Sequence, residues 1–310
     1  MSLFYIVIPY ILAGISVGGQ YALIAIGYTM VYGILRLINF AHADVFMVSG
    51  LLMIYISATL PLFIAIPIVV AMIVILGFAI ERAAYKPLRQ APRMSVMISA
   101  IGVSYLLQNL ALYITGGLNQ NYPAIPWISD SISIFGFSFR RATLITPFFV
   151  LALVIGLIWL IHHTKVGMAM RAVAKDLETS QLMGIKINSV ISTTFVIGSF
   201  LAALGSILFF TNYPGVIPTS GAMPGMKAFV AAVFGGVGSI PGAVLGGLLI
   251  GICESIIKGL DTILGPVGAG LLKAPLEFAT FSDAFTFVLL IVILVFKPTG
   301  LFGEKTTEKV

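Results

Sequence analysis

Long apolar runs, separated by short polar segments, dominate the chain. A helix that crosses a bilayer needs about 20 mostly apolar residues, and several runs reach that length alone or when divided. The pattern therefore predicts an all-α polytopic membrane protein with about eight transmembrane helices, forming one transmembrane domain over residues 1–310. The runs that qualify cover residues 3–35, 40–58, 61–80, 95–114, 143–161, 190–211, 227–256 and 284–296.

Two of the apolar runs are expected to be broken or re-entrant, near residues 18–44 and 227–256. The first break belongs to a run that is too long for one ordinary span and contains Gly18–Gly19–Gln20, so we expect a division there. The second run contains FGGVGSIPGA (234–243), which is rich in glycine and includes a proline. Broken helices are tolerated in a membrane only where they are buried in protein or line a cavity. We therefore predict a half-helix, a break near Gly235–Gly242 and a returning helix.

Two pairs of glycines at small-xxx-small spacing, Gly242/Gly246 and Gly247/Gly251, accompany this expected break. Small residues at such spacing let the backbones of two helices approach each other closely in a membrane. We therefore predict a tight helix contact at Gly246, Gly247 and Gly251.

The composition of the chain excludes a soluble fold. Hydrophobic residues make up 59% of the sequence and charged residues only 9%, whereas soluble domains are about 25% charged. The formal net charge is +6. Basic residues between membrane spans are explained by orientation in the membrane better than by nucleic-acid binding. We therefore expect membrane lipid, and no nucleic acid, around this chain.

The distribution of Lys and Arg predicts which segments face the cytoplasm. Most of the 17 basic residues fall on one side when four segments are placed inside the cell, in accord with the positive-inside rule. This assignment places segment 164–190 and the C-terminus in the cytoplasm, and it makes 115–142 the largest extracytoplasmic loop. Within that loop, ISIFGFSF (132–139) predicts either a small hairpin or a collapsed cap over the helix ends. The four inner segments are 36–44, 81–94, 162–189 and 297–310.

Segment 164–190 is a polar island, and it has the pattern of an amphipathic helix. Apolar residues recur at helical spacing on one face, and charged residues populate another. Gly184 stands where a glycine would end this helix. We expect a helix of this kind, placed between two spans, to be offered to a partner on the cytoplasmic side. Its apolar face consists of Val166, Met170, Val173 and Leu177.

A polar cluster in LRLINFAHADVFMVSG (35–50) interrupts otherwise apolar sequence with Arg36, Asn39, His42 and Asp44. A charge at the bilayer centre costs roughly 2.5–3.5 kcal/mol, so such residues need an explanation. Two interpretations stay open: a cytoplasmic turn whose polar side chains lie in water, or a break that faces the protein interior and lines a pathway. Gln20 is a weaker candidate, because polar residues inside apolar runs often hydrogen-bond between helices.

The sequence contains no recognisable catalytic or nucleotide-binding motif. A P-loop pattern is absent, and GGVGSIPG lacks the spacing of a dinucleotide fingerprint. His162–His163 has no acid or cysteine at ligand spacing, so no metal site is expected. Cys253 is the single cysteine, which excludes an intrachain disulfide. We therefore expect the chain to be no enzyme and to bind no cofactor of its own.

Three blocks carry a resemblance to a known family. GGQYALIAIGYTMVYGILRLINFAHADVFMVSG (18–50), MRAVAKDLETSQLMGIKIN (170–188) and KAFVAAVFGGVGSIPGAVLGG (227–247) resemble the permeases of branched-chain amino-acid ABC transporters. The closing KPTGLFG (297–303) is similar to the tail of that family. The similarity extends from near the start of the chain to its end, and it suggests the shorter of two paralogous permease subunits.

The resemblance implies an ATP-driven importer of the bacterial inner membrane that translocates branched-chain or other small apolar amino acids. This chain would form a heterodimer with a paralogous permease, and two cytoplasmic ATPase subunits would bind ATP and magnesium. An extracytoplasmic binding protein would deliver the solute. Similar permeases move urea, short amides or aromatic acids, so those solutes stay open.

A stand-alone secondary transporter is the competing interpretation. Such a protein is expected to carry ionisable residues inside the membrane, or unwound carbonyl sites for sodium. The sequence places Asp44, Glu81 and Glu254 near the ends of spans and none of them in the middle of a run, which argues against proton coupling.

The resemblance also implies roles for single residues. Block 170–188 corresponds to the coupling loop that docks on the ATPase in this family, although Val173-Ala174-Lys175 replaces the Glu-Ala-Ala start of the broader motif. The expected ATPase-coupling residues are Arg171, Ala174, Lys175, Asp176, Glu178 and Gly184. The expected pathway and gate residues, chosen for a broken helix or for misplaced polarity, are Gln20, Asn39, His42, Asp44, Gly235, Gly236, Gly238, Pro241 and Gly242.

Overall fold

The computed structural model describes residues 3–134, 137–272, 278–297 and 299–302, and these residues form eleven α-helices and four short strands. The helices are α1 (Leu3–Leu35), α2 (His42–Ser57), α3 (Leu62–Ile80), α4 (Arg93–Thr115), α5 (Arg141–His163), α6 (Lys165–Lys175), α7 (Leu177–Leu182), α8 (Ile187–Asn212), α9 (Ala222–Gly235), α10 (Ile240–Leu272) and α11 (Phe278–Phe296). The strands are β1 (Gln120–Asn121), β2 (Ser131–Ile134), β3 (Phe137–Arg140) and β4 (Gly215–Val216). A π-helical turn, Glu81–Tyr85, continues α3.

Seven helices within the described ranges are long and apolar enough to cross a membrane, which confirms the all-α polytopic membrane class. Two shorter apolar helices, α2 and α9, lie between them. The predicted run 40–58 forms the short α2, and the run 227–256 is divided between α9 and α10 by residues 236–239. The seven spans are Val7–Leu35, Leu62–Leu88, Arg93–Thr115, Arg141–His163, Ile187–Asn212, Ile240–Asp261 and Phe278–Phe296.

Helix α1 is not divided at Gly18–Gly19–Gln20, so the expectation drawn from its length was wrong. The helix continues through these residues and ends where Arg36 adopts a left-handed φ of +53°. The interruption therefore lies at 36–41. The glycines serve a helix contact instead, because a Cβ at Gly18 would lie 2.7 Å from the carbonyl oxygen of Gly247 on α10. A glycine in an apolar run indicates either a break in the helix or a close approach of two helices. At Gly18 it allows the close approach of α1 and α10.

Contacts between helix ends define two opposite faces of the protein. On the first, Arg36 after α1 donates a hydrogen bond to the Ala174 carbonyl at the end of α6 (3.4 Å). Arg89, which follows α3, donates on the same face to Asn188 at the start of α8. We call this the α6–α7 face. On the opposite face, which we call the hairpin face, strands β1 and β4 pair beyond the ends of α4 and α8.

The loop 115–142 contains a hairpin, which was one of the two alternatives. Strands β2 and β3 pair antiparallel, with Ile132 opposite Phe139. The residues between them, 135–136, lie outside the described residues. Strand β1 of the same loop pairs with β4, which places Gln120 opposite Val216. Short strands therefore cover the hairpin face and join the loop to the segment that follows α8.

The two short helices, α2 and α9, begin inside the protein and not at its faces. His42, the first residue of α2, packs so tightly on Gly27 that a Cβ there would overlap the imidazole ring. Gly27 lies about 12 Å from the end of α1, at 1.5 Å per residue. At the start of α9, a Cβ at Gly221 would overlap the carbonyl of Ala43. The first turns of α2 and α9 therefore meet in the interior, where protein surrounds the irregular backbone.

Helices α1–α4 and α8–α11 form two sets with matching contacts. Helix α1 packs against α9 and α10, and α8 packs against α2 and α3. Within the sets, α2 contacts α3 and α4 in the same way as α9 contacts α10 and α11. Because α1 ends on the α6–α7 face and α8 begins there, the two sets run in opposite directions across the membrane. This is the arrangement of an inverted-topology repeat.

The largest helix contact joins α1 to α10 through glycines. A Cβ at Gly247 would lie 2.7 Å from the backbone nitrogen of Ala22, and a Cβ at Gly251 would overlap the backbone of Gly18. Gly246 faces the backbone of α9 in the same way. Helices in a membrane associate through such close packing, because lipid supplies little hydrophobic driving force between them.

Gly251→Ala is expected to destabilise the protein, because the new methyl group meets the backbone of α1. Overpacking of this kind costs about 1–3 kcal/mol, which exceeds the roughly 1 kcal/mol that alanine gains over glycine in a helix. Thermal unfolding of the detergent-solubilised chain measures the effect. Gly156→Ala in α5 is the matched control, since nothing lies within 4 Å of its Cβ, and it should unfold at or above the wild-type temperature. An unchanged midpoint for Gly251→Ala would contradict the contact.

Candidate functional site

Segment 164–190 contains two short helices, whereas the sequence analysis predicted one. The hydroxyl of Thr164 accepts the backbone N–H of Gly167 at the start of α6 (3.1 Å). Asp176 adopts extended backbone angles, and its carboxylate accepts the N–H of Thr179 at the start of α7 (3.1 Å). A side chain that caps a new helix competes with continuation of the previous one, so the chain turns at Asp176. Gly184, with a φ of +84°, follows α7 at the position predicted for a helix stop.

Only half of the predicted apolar face of this segment is buried. Met170 and Val173 on α6 are covered by the spans, whereas Val166 and Leu177 are 45% and 40% exposed. The turn at Asp176 changes the direction of the chain, so the two helices do not share one continuous apolar face. The prediction of a single amphipathic helix was therefore wrong in its extent.

The α6–α7 segment, residues 164–184, presents a mixed polar and apolar surface. Leu182 and Met183 are 87% and 79% exposed. Large exposed apolar residues with polar neighbours are typical of protein-binding surfaces. Sequence reasoning missed these two residues, because they lie at the end of α7 and outside any helical stripe. The exposed charged residues of the segment are Lys165, Arg171, Lys175, Asp176 and Glu178.

Two long, exposed hydrogen bonds link α6 to its surroundings, in addition to the packing of Met170 and Val173. Arg171 donates to the His162 carbonyl at the end of α5 (3.4 Å). The carbonyl of Ala174 accepts from Arg36, which begins the interruption between α1 and α2. A coupling candidate and the interrupted backbone at 36–41 are therefore in direct contact.

The polar cluster at the start of α2 is buried, so it is not a cytoplasmic turn with side chains in water. Asn39, His42 and Asp44 are at most 4% exposed. The Asn39 side-chain oxygen accepts from the hydroxyl of Tyr85 (2.7 Å) and from the N–H of Ala41 (3.1 Å). The break therefore faces the protein interior, where Asn39 has hydrogen-bond partners, whereas the Nε2 of His42 has none among the described residues.

The two other polar residues of this cluster hold α2 against its neighbours. Asp44 accepts hydrogen bonds from Ser104 and from Gln108 (3.0 Å), both on α4. His42 packs edge-on against the ring of Tyr28, with 5.2 Å between ring centroids. The first turn of α2 is thus fixed to α1 on one side and to α4 on the other.

Gln20 lies in the middle of α1 and is fully buried. Its amide nitrogen donates to the Leu208 carbonyl on α8 (3.3 Å). This geometry matches the interhelical hydrogen bond that polar residues commonly make in membrane helices. Gln20 is therefore placed between two spans, away from the cluster at the start of α2.

The glycines of the predicted break form a tight turn between α9 and α10 on the α6–α7 face. Gly236 and Gly238 have φ of +106° and +100°, angles that favour glycine. Gly235 and Gly242 lie backbone to backbone, and Pro241 falls in the first turn of α10, where its missing N–H is tolerated.

The C-terminal tail completes this turn. Leu301 and Phe302 donate their N–H groups to the carbonyls of Phe234 and Gly235 (both 2.9 Å). These carbonyls are at the end of α9, where a helix leaves its last acceptors without partners. Of the tail block that carried the resemblance, residues 298 and 303 lie outside the described residues.

A charge cluster centred on the buried residues Lys227 and Glu254 joins four helices, and the sequence analysis did not identify it. Lys227 on α9 is 5% exposed, and its ammonium lies 2.8 Å from Glu254 on α10 and 2.6 Å from Asp283 on α11. The hydroxyl of Tyr21 on α1 donates to the same glutamate (3.0 Å). Glu254 therefore lies inside a span, which corrects its placement near a span end. A basic and an acidic residue within one apolar run were the available signal.

A second buried network lies near the α6–α7 face, around Glu81. This carboxylate is fully buried, and it accepts from Arg89 and from the Ser192 hydroxyl on α8 (2.7 Å). Arg89 also donates to Asn188. Beside these groups is a cavity of about 820 Å³, which is lined by residues from the end of α1, the α3 span, α7 and the start of α8.

Comparison with known proteins identifies relatives over nearly the whole chain. Residues 10–294 match the family described as branched-chain amino acid transport system / permease component. The chain is 40% identical, over 314 residues and 96% of each chain, to the high-affinity branched-chain amino acid transport system permease protein BraD of Pseudomonas aeruginosa. It is 37% identical, over 311 residues and again 96% of each chain, to LivH of Escherichia coli strain K12. The ribose import permease protein RbsC of Haemophilus influenzae is 25% identical over 77% of this chain and 74% of its own.

The matched region includes the interruption at 36–41, the α6–α7 segment and the turn between α9 and α10. Its relatives are permease subunits of transport systems and not enzymes. With a family match over most of its length and 40% identity across 96% of both chains, this multi-pass membrane protein belongs to the family of branched-chain amino acid transport system permease components.

Proposed function

We propose that this chain is the membrane-spanning permease subunit of an ATP-driven importer of branched-chain amino acids. The observation that supports this function most is the 40% identity to BraD across 96% of both chains. Residues 1–310 would form one permease domain, and other subunits would bind the delivered solute and hydrolyse ATP. Other small apolar amino acids fit the same function, whereas urea, short amides and aromatic acids are the alternative solutes.

The proposed complex contains a paralogous permease, two ATPase subunits that bind ATP and magnesium, and an extracytoplasmic binding protein. It would lie in a bacterial inner membrane, with the α6–α7 face and the C-terminus towards the cytoplasm. Basic residues support this orientation, because Arg82, Arg89 and Lys186 lie on that face. The spans α4 and α11 are mostly exposed, so they offer surface to lipid and to a second permease.

The α6–α7 segment would receive the ATPase subunits and transmit their movement to the spans. Its exposed apolar residues Leu182 and Met183, together with Arg171, Lys175 and Glu178, supply a surface for docking. The joint between α5 and α6 is rigid, because a Cβ at Gly167 would overlap the backbone of Ile161. A tilt of the segment would therefore move α5 directly.

We place the gate at the two helix interruptions, between α1 and α2 and between α9 and α10, which a tilt of the α6–α7 segment would move. Asn39, His42 and Asp44 lie at the start of α2, in the interior. The turn from Gly235 to Gly242 lies on the α6–α7 face, where it contacts the tail. Rocking of helices around a central interruption is a common gating mode of transporters.

Proteoliposomes that contain the whole complex should accumulate labelled leucine, isoleucine or valine. Uptake should require ATP on the ATPase side and binding protein on the other side, because the permease has no energy source of its own. Uptake by this chain alone, driven by an ion gradient, would contradict the proposal and favour a secondary transporter. Uptake of urea or an aromatic acid in place of the branched-chain amino acids would assign an alternative solute.

Cysteine labelling tests the orientation of the two faces. In a Cys253→Ser background, an impermeant maleimide should label Leu182→Cys only from the cytoplasmic side and Leu118→Cys only from the outside. The two side chains are 87% and 69% exposed and belong to the α6–α7 face and the hairpin face. Labelling of Leu182→Cys in intact cells without permeabilisation would contradict the assignment.

Lys175→Glu should lower ATP-driven uptake at least tenfold while the chain still assembles with the paralogous permease. The residue is exposed at the end of α6, so its reversal changes charge at the docking surface and little else. Charge mismatch across an interface costs several kcal/mol, and about 1.4 kcal/mol is already tenfold. Arg93→Glu is the matched control, because it reverses an exposed charge at the start of α4, outside the segment. Equal losses for both variants would argue against a specific contact.

A further inference from the structure

We propose that Glu81, Tyr85 and Arg89 are positioning residues, which transmit movement of the α6–α7 segment to the interrupted backbone at 36–41. The inference rests on the proposed function, because it assumes that the segment receives the ATPase subunits. One continuous chain of contacts joins the segment to the interruption.

The first step leads from the α6–α7 segment to Glu81. Helix α8 starts at Ile187, three residues after Gly184 ends the segment. Between them the N–H of Ile185 donates to the Ser180 carbonyl of α7 (3.1 Å), so a movement of the segment would reach the first turns of α8. Asn188 and Ser192 lie in these turns, one helical turn apart. Asn188 accepts from Arg89, and Ser192 donates to Glu81 (2.7 Å). The start of α8 is therefore bonded at two points to the segment that follows α3.

The second step leads from Glu81 to the interruption. Glu81 begins the π-helical turn Glu81–Tyr85, and such turns are frequent at functional sites. At its other end, the Tyr85 hydroxyl donates to Asn39 (2.7 Å), which also accepts the N–H of Ala41. Asn39 thus receives one hydrogen bond from its own loop and one from the turn. A shift of the turn would pull on the backbone just before α2.

Burial of a carboxylate at this point needs a reason. Glu81 is fully buried, and a buried charge is costly unless it is paired and hydrogen-bonded. Apolar side chains of similar volume would often fill such a site with equal or better stability. An apolar side chain, however, would form no hydrogen bonds to Arg89 and Ser192, whereas Glu81 bonds both. The structure thus assigns Glu81 to holding the π-helical turn and α8 in one relative position.

The cavity beside the network supplies the space that a rearrangement needs. Closely packed protein interiors resist movement. Here a cavity of about 820 Å³ has Leu177 and Gln181 of α7 on one side and Tyr85 and Arg89 on the other. Residues from the end of α1 also line this cavity, so the α6–α7 segment, the start of α8 and the π-helical turn can shift together towards the end of α1 without displacing packed side chains. The other connection, from Arg36 to Ala174, is a single exposed hydrogen bond of 3.4 Å, which is long for this geometry.

Tyr85→Phe tests the proposal, because it removes only the hydroxyl that bonds Asn39. In the reconstituted complex, we expect normal assembly and ATP hydrolysis, with solute transported per ATP reduced about five- to tenfold. Tyr122→Phe is the matched control. Tyr122 is buried like Tyr85 (5% and 1% exposed), and within the described residues its hydroxyl has no hydrogen-bond partner, so this variant should transport like the wild type.

Glu81→Gln provides the second variant, and it keeps an acceptor and the volume of the side chain. It should lower the transport per ATP as Tyr85→Phe does. The double variant should be little worse than either single variant, because both act on one route. A merely structural role predicts additive losses of assembled complex at an unchanged transport per ATP. Wild-type coupling in Tyr85→Phe, or losses that follow the amount of assembled complex, would overturn the proposal.

A solute-independent measurement separates this inference from the proposed function. In the Cys253→Ser background, the labelling rate of Leu37→Cys should change when ATP binds to the complex, and Tyr85→Phe should remove most of that change. Failure of the wild-type complex to transport branched-chain amino acids would overturn the proposed function alone. An equal ATP-dependent change in the wild type and in Tyr85→Phe would overturn the inference alone.

Discussion

The contact between α1 and α10 is the interaction on which the other helices depend. Glycines on both helices bring the two backbones together, since a Cβ at Gly247 or Gly251 would meet the backbone of α1. Helix α1 in turn contacts α2, α5, α6, α8 and α9. Because lipid offers little incentive for helices to associate, close packing of this kind must hold the arrangement together. A shift of α1 would therefore displace the start of α2 and the other helices that pack against α1.

Where a helix is interrupted inside a membrane protein, its free backbone groups need hydrogen-bond partners within the protein. In this chain, segments that are distant in sequence take part in these hydrogen bonds. The last carbonyls of α9 accept from Leu301 and Phe302, which follow α11. At the other interruption, Asn39 uses its side chain to accept from its own loop and from Tyr85. Both solutions tie an interrupted stretch of backbone to a segment that is remote in sequence. Movement at these points is therefore coupled to the helices that supply the donors.

The sequence was sufficient to predict the all-α membrane class and the turn near Gly236. Both follow from features that can be recognised in a short stretch of sequence: the length of the apolar runs, and the glycines that favour a turn. It was insufficient at Gly18, since a glycine in a long apolar run is compatible with a break in the helix and with a close helix–helix contact. Only the position of the partner helix distinguishes the two. The ammonium–carboxylate pair of Lys227 and Glu254 depends on how α9 folds back on α10, which no local pattern specifies. Asp176 could have been recognised as a helix start, but the apolar spacing across it suggested continuity.

The two matching helix contacts, α1 with α10 and α3 with α8, use the same two devices. Each contains small residues in close approach: Gly247 faces α1, and Gly77 faces Ser199 of α8. Each is also crossed by a buried glutamate that accepts from a hydroxyl on the partner helix, Tyr21 to Glu254 in one and Ser192 to Glu81 in the other. Small residues let two helices approach closely, but they do not prevent one helix from sliding along the other. A directional hydrogen bond to a buried charge fixes the two helices in one position along their axes. Each of these contacts joins a helix of the set α1–α4 to a helix of the set α8–α11. The two directional bonds therefore fix, at two separate points, the position of one half of the repeat against the other.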